Sequence, residues 1–411
     1  MTLASNETSE PLASTPALAR PRLALAAFDG LLRKLSRGRL EVRLPDGSER
    51  SYGEAQAEPV ARMTILDWRF FRRVLLAGDV GLGESFSAGE WQSDDLVSLL
   101  GVLLLNLETL DRPTLASRLG LIALRMLHAR RDNRRGRARE NIRAHYDLGN
   151  EFYRLFLDGS MTYSSALFES PQQTLDQAQR AKILRLLGGL ELRREQHLLE
   201  IGCGWGSCAL LAAREFGCRV TGITLSEEQA SHARQRVAAE GLSDRIAIEI
   251  VDYRDVAGVF DHIVSIEMLE AVGHRHLPAY FAVCNRLLRP GGRLALQTIT
   301  LPDRRYVAYR KRPDWIQKHI FPGGHLPSLG AILEALRPTP FLVRDALDIG
   351  PHYAMTLRHW RERFLAALDR VRALGFDAAF ERTWEYYLAY CEAGFAGGAT
   401  QDFQLLLAKP A

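Results

Sequence analysis

The chain has 411 residues, 47% of them hydrophobic and 25% charged, with a formal net charge of +4. This is ordinary globular composition, long enough for two or three domains, and so mild a charge gives no argument for nucleic acid as a partner. The five cysteines are odd in number, sit in apolar surroundings and lack zinc spacing, so they read as reduced thiols of a cytoplasmic protein with no metal centre. No run reaches the ~20 apolar residues that a membrane span needs.

Residues 1–20 are rich in Ser, Thr, Ala and Pro and read as a disordered tail. Residues 21–124 read as a small α/β domain. Within it, residues 37–52 alternate Leu and Val with polar residues around Pro45-Asp46-Gly47, the pattern of a β-hairpin. Residues 60–65 add a strand, and residues 67–76 and 94–110 read as helices. No catalytic constellation appears here, so lipid binding or assembly is the role expected of this domain.

Residues 125–140 read as a linker overlapping the arginine-rich stretch 126–143, MLHARRDNRRGRARENIR. It reads either as a solvated linker helix or as a surface drawn to anionic lipid head groups, at about 1 kcal/mol per basic side chain. No aromatic residues interleave the arginines, which weakens a nucleic-acid reading. Residues 141–411 alternate strand and helix. Strands are expected at 197–201, 219–224, 246–251, 262–266 and 293–299, with helices at 208–216, 227–239 and 278–288. Such alternation implies a parallel sheet covered on both faces.

Residues 198–206, LLEIGCGWG, run an apolar strand into Glu200-x-Gly202-x-Gly204-x-Gly206, and a helix follows. The glycines allow a sharp turn and close backbone approach to a ligand. A dinucleotide fold would use GxGxxG. The GxGxG spacing resembles the first motif of class I methyltransferases, which bind S-adenosylmethionine and have no pyrophosphate to cradle. At the second strand's tip, Thr224, Ser226 and Gln229 are candidate cofactor contacts; Ser226 also reads as a simple N-cap, and both readings can hold together. At the third strand's tip, Asp252 and Tyr253 are candidates for adenine contact. Residues 289–292, RPGG, read as the turn before the fifth strand.

Several further segments are more specific: NIRAHYDLGNEFYRLFLDGSMTYSSALFE at 141–169, IEMLEAVG at 266–273, PGGHLPS at 322–328, and WRERFL and YYLAYCEAGF at 360–365 and 386–395. Together they closely resemble the cyclopropane-fatty-acyl-phospholipid synthase family, which includes the mycolic acid cyclopropane synthases. The resemblance runs from about residue 141 to the C-terminus, and the N-terminal region resembles the extra domain of the phospholipid-acting members. It implies a class I methyltransferase sheet with helices on both faces, S-adenosylmethionine as methyl donor, a bound bicarbonate ion, and the cis double bond of a phospholipid acyl chain as acceptor.

Carried over residue by residue, the resemblance makes Tyr163, Ser164, Gly202, Gly204, Thr224, Gln229, Tyr253 and Arg254 cofactor contacts. Glu270, Ile299 and Tyr387, or its neighbour Tyr386, become bicarbonate contacts. Three positions depart from cyclopropane synthases. Ser165 stands for a cysteine, Ala271 for a histidine, and Gln297 for the histidine that hydrogen-bonds bicarbonate. A neutral amide cannot change charge as histidine can, so ring closure is more in doubt than methyl transfer. Cyclopropane is the default product expected. The EAVG and QTIT versions resemble a branch that makes methylene- or methyl-branched acids, with furan-acid precursors a related outcome. The partners implied are an anionic phospholipid surface, an unsaturated acyl chain, a second copy in a homodimer and, for a methylene product, a separate reductase. The location implied is cytoplasmic, peripheral on the inner membrane face.

Overall fold

The computed structural model describes residues 21–110 and 148–411. The expected tail and the basic segment lie outside them. The first layer is a four-stranded sheet, β1 (Arg39–Arg43), β2 (Glu49–Tyr52), β3 (Val60–Ile65) and β4 (Trp91–Gln92), in the order β2-β1-β3-β4. β1 and β2 form the expected hairpin. Gly47 takes the left-handed backbone at φ +81° and the Asp46 carboxylate accepts the Ser48 N–H at 3.0 Å, which closes the turn. Leu40, Val42, Ala61, Met63 and Ile65 point inward, as period-two alternation requires, against Phe28, Phe70 and Phe71.

The helix expected at 94–110 is two helices, Leu96–Leu105 and Leu107–Leu110, parted at Asn106. The buried carboxamide of Asn106 accepts the Ser36 and Arg37 backbone N–H groups at 2.9 and 3.0 Å and donates to the Arg37 carbonyl at 2.6 Å. This long-range tie to the start of β1 ends the helix where an apolar run alone would have continued it.

The second layer is a seven-stranded sheet: β5 (His197–Ile201), β6 (Arg219–Thr224), β7 (Ile246–Ile250), β8 (Phe260–Ile266), β9 (Leu288–Thr300), β10 (Leu342–Asp348) and β11 (Gln401–Ala408), ordered β10-β11-β9-β8-β5-β6-β7. The five strands read from the sequence are its parallel part. β11 inserts antiparallel beside β9, and β10 is the antiparallel edge. The sheet is therefore mixed, where pure alternation implied a parallel one. Residues 289–292, expected as a turn, are a bulge inside β9: Phe260 pairs with Leu288, but His262 pairs with Arg293.

Helices Ser207–Phe216, Glu227–Ala239 and Leu277–Leu287 cover the sheet. The long helix Ala378–Ala396 joins the two layers, packing on Asp79–Ser87 and Leu96–Leu105. Its Tyr386 lies among Phe86, Trp91 and Trp315. A Cβ on Gly83 would sit 2.4 Å from the Trp315 ring, so this contact needs glycine. Among the described residues no helix is long and apolar enough to cross a membrane, and no cluster of side chains could hold a metal ion.

Candidate active site

The carboxyl ends of β5, β6 and β8 open onto one crevice, where an open α/β sheet binds ligands. At the end of β5 the chain turns through Gly202, Gly204 and Gly206, with φ +85°, +51° and +86°. A Cβ on Gly202 would lie 3.0 Å from Met268, and one on Gly206 would lie 3.0 Å from Ala233. Side chains are excluded here by conformation and by space together. Gly202→Val should therefore weaken S-adenosylhomocysteine binding by about 100-fold, roughly 2.7 kcal/mol, in a calorimetric titration. An unchanged affinity would remove this loop from the site.

The crevice deepens into a cavity of about 860 Å3. Of the expected site residues, Tyr163, Ser164, Glu200, Gly202, Gly204, Thr224, Gln229, Tyr253, Glu270, Ile299 and Tyr387 line it. The other wall is apolar and comes from the N-terminal layer, including Leu82, Leu100, Leu103 and Leu104.

Ser165, Gly206, Ser226, Asp252, Arg254 and Gln297 lie outside this lining, each with a local partner or role. Ser226 caps the helix Glu227–Ala239 by accepting the Gln229 N–H at 3.3 Å, while the Thr224 hydroxyl donates to the Gln229 carboxamide at 2.9 Å. Asp252 and Arg254 pair with one another at 2.5 Å, and the guanidinium sits over the Tyr253 ring. Gly206 precedes the helix Ser207–Phe216 as its cap.

Burial dominates the electrostatics. The Glu200 carboxyl, at the end of β5, is pushed up to about 8 by burial. Glu270 is pushed up to about 8 by burial and then by the nearby Glu267 carboxylate. Each has one buried oxygen without a hydrogen-bond partner. The other Glu270 oxygen accepts the Ile299 N–H and, at 3.1 Å, the Thr298 hydroxyl. Two carboxyls poised to ionise beside a glycine loop suit a cationic sulfonium ligand. The residues present thus fit S-adenosylmethionine.

The sequence reading missed Glu267, Lys182, Tyr353 and Asp402. Glu267 follows β8 with φ +48°, a left-handed backbone that non-glycine residues rarely adopt. Its carboxylate accepts three hydrogen bonds: Ser165 N–H at 2.8 Å, Gln297 Nε2 at 2.7 Å and Tyr353 OH at 2.8 Å. Gln297 Nε2 also reaches Asp402 Oδ2 at 3.0 Å, and its Oε1 accepts from Gln404 at 3.0 Å. Lys182 has no exposed surface and donates to the Ser164 hydroxyl at 2.5 Å. Two signals for this group stood in the sequence: a second glutamate three residues before Glu270, and a lysine in the apolar stripe with Ala178, Ile183 and Leu186.

The bicarbonate expected from the resemblance does not fit this arrangement. Ser165 N–H, Gln297 Nε2 and Ile299 N–H already donate to Glu267 and Glu270, and the Tyr387 hydroxyl is 2.7 Å from that of Tyr163.

The doubly covered sheet, the glycine loop at its carboxyl edge and the paired buried carboxyls define a class I S-adenosylmethionine-dependent methyltransferase. Residues 133–405 match the mycolic acid cyclopropane synthetase family, and the chain belongs to it, as a fatty acid C-methyltransferase. It is 43% identical to the tuberculostearic acid methyltransferase of Mycobacterium tuberculosis over 96% of this chain and 95% of that one. It is 36% identical to the cyclopropane-fatty-acyl-phospholipid synthase of Escherichia coli over 83% of this chain and 86% of that one. A mycolic acid cyclopropane synthase solved with SAH and CTAB superposes with a TM-score of 0.62 at 35% identity, over 66% of this chain and 98% of that one.

Proposed function

We propose that this protein methylates the cis double bond of an unsaturated acyl chain carried by a membrane phospholipid, and that the product is a methylene- or methyl-branched fatty acid. The observation that carries the reading is the cavity, with apolar walls from the N-terminal layer at one side and the glycine loop, Glu200 and Glu270 at the other. Its volume, about 860 Å3, is at the upper end for small-molecule sites and suits a long chain beside a cofactor.

S-adenosylmethionine, when bound, supplies an electrophilic methyl group on a positively charged sulfur. The chain's own residues do the rest. The glycine loop and Thr224 hold the cofactor. Leu82, Leu100, Leu103 and Leu104 keep an alkyl chain oriented and water out. Glu270, ionised once a sulfonium cation lies beside it, sets a negative potential where positive charge develops on the alkene carbon.

A surface next to this cavity favours a lipid in a bilayer. Arg304, Arg305 and Arg312 line the cavity, Arg310 and Lys311 are exposed nearby, and Val307 on the same stretch is 60% exposed. Basic side chains around an exposed apolar one suit an anionic phospholipid surface. The N-terminal layer then acts as the lipid-binding part of a peripheral enzyme on the inner membrane face.

For the product, the branched outcome replaces the cyclopropane expected by default. The 43% identity over nearly the whole chain is to an enzyme named for tuberculostearic acid, a methyl-branched acid, whereas the cyclopropane synthase is 36% identical over less of the chain. A methylene product would need a separate reductase to become a methyl branch. Gas chromatography with mass spectrometry of fatty acids from cells expressing the protein tests this. A methylene- or methyl-branched acid is expected, and a cyclopropane acid as sole product would contradict it.

A further inference from the structure

Resting on the reading just given, we infer that the Glu267 carboxylate is the proton acceptor that resolves the methylated cation, so that this enzyme works without an external bicarbonate. Methylation of one alkene carbon leaves its neighbour electron-deficient. A hydride shift from the methylated carbon to that neighbour moves the charge onto the branch carbon; a C–H bond of the new methyl group then breaks, its electron pair becoming the π bond of a methylene branch and its proton going to a base. In this step a Glu267 oxygen takes the proton, the carboxylate becomes a carboxylic acid, and the proton passes to water when the product leaves.

Three observations support the assignment. The groups expected to grip a small anion are engaged by the chain's own carboxylates: Ser165 N–H and Gln297 Nε2 by Glu267, and Ile299 N–H by Glu270. An added negative charge would also be opposed electrostatically by whichever of these carboxyls is ionised. Second, Glu267 lines the cavity next to Met268, whose side chain occupies the space a Cβ on Gly202 of the cofactor loop would need. Third, its left-handed backbone at φ +48° is a conformation that glycine would adopt freely, yet a glutamate is held there. Strain of this kind persists where the surroundings over-determine a position and clusters at reacting centres. Three hydrogen bonds fix this carboxylate, and the Asp402 carboxyl is a further neighbour with which it shares protons. Burial raises its proton affinity above that of an ordinary glutamate, while Lys182 works against the rise.

The test uses the purified full chain, S-adenosylmethionine and vesicles of unsaturated phosphatidylglycerol, in buffer stripped of carbon dioxide or supplemented with bicarbonate. Wild-type turnover is expected to be the same in both, within about twofold. Glu267→Gly, which suits the left-handed backbone, should lose about 100-fold in stripped buffer and regain at least ~10-fold with bicarbonate or formate. Glu267→Gln, which keeps the space filled, should lose as much and not be rescued. Both variants should bind S-adenosylhomocysteine as wild type does. Wild-type turnover that needs bicarbonate, or a Gln variant that keeps its turnover, would overturn the inference. A wild type that methylates no lipid in either buffer would instead refute the function proposed above.

Discussion

Glu270→Gln is expected to lower lipid methylation by about 1000-fold while leaving S-adenosylhomocysteine affinity within a few-fold of wild type. Gln keeps the shape and the hydrogen bonding to Ile299 and Thr298, but removes the charge that favours a developing cation. Losing one preorganised electrostatic partner in a dry site costs about 10²–10³ in rate, and a full charge sits at the upper end. The same substitution should stabilise the fold near neutral pH. Burial pushes the Glu270 carboxyl up to about 8, against about 4.3 in an unfolded chain. Between these values the folded, cofactor-free protein holds a proton that the unfolded chain has released. The contribution to stability is complete below about pH 4.3 and is lost as pH rises through 8. Gln has no such dependence. The melting temperature of the wild type should thus fall relative to the variant between pH 5 and 8, by several degrees for a difference on the order of 2 kcal/mol. Parallel pH curves, or a variant that retains turnover, would remove Glu270 from the role given to it.

The largest effect on stability is expected from Lys182→Met. Lys182 lies on the helix Leu175–Gly189 with no exposed surface, and its ammonium reaches the Ser164 hydroxyl at 2.5 Å. Burial lowers its proton affinity, and Glu267 and Asp402 oppose that by their charge. Methionine fills the space but leaves those buried carboxyl groups without a cation. Breaking a buried charge set by removing one member costs about 3–5 kcal/mol, which a urea titration reads as a lower midpoint at unchanged slope. Adding Glu267→Gln to Lys182→Met should restore part of the loss, because the two residues share one interaction. A single variant as stable as wild type would mean that the lysine is neutral in the folded protein.

The parallel half of the large sheet was legible because its strands are mostly apolar and alternate with helices, one of them capped by Ser226. The glutamines and aspartate of β11, QDFQLLLA, hid a central strand. They turn inward to meet Gln297 and Asp348, a pairing that no local pattern displays. β10 is an exposed edge with little apolar alternation and gave no signal either. At the site, the glycine loop and Glu270 were legible because their chemistry is local. Gln297 could be identified as a departure, but its function depends on Glu267, at the end of β8, and on Asp402 and Gln404, both on β11. Glu267 itself was visible as a residue, but its left-handed backbone and three donors exist only once β8, β9 and the helix Gly350–Ala366 have packed together.

The account stands on an alkene being the group that meets the activated methyl. Purified protein given methyl-labelled S-adenosylmethionine and two sets of vesicles, one of oleoyl and one of fully saturated phospholipid, measures this directly. Label covalently bound in the oleoyl chains, and absent from the saturated ones, is the result expected. Label carried equally by saturated lipid, or found only on head groups, would contradict it.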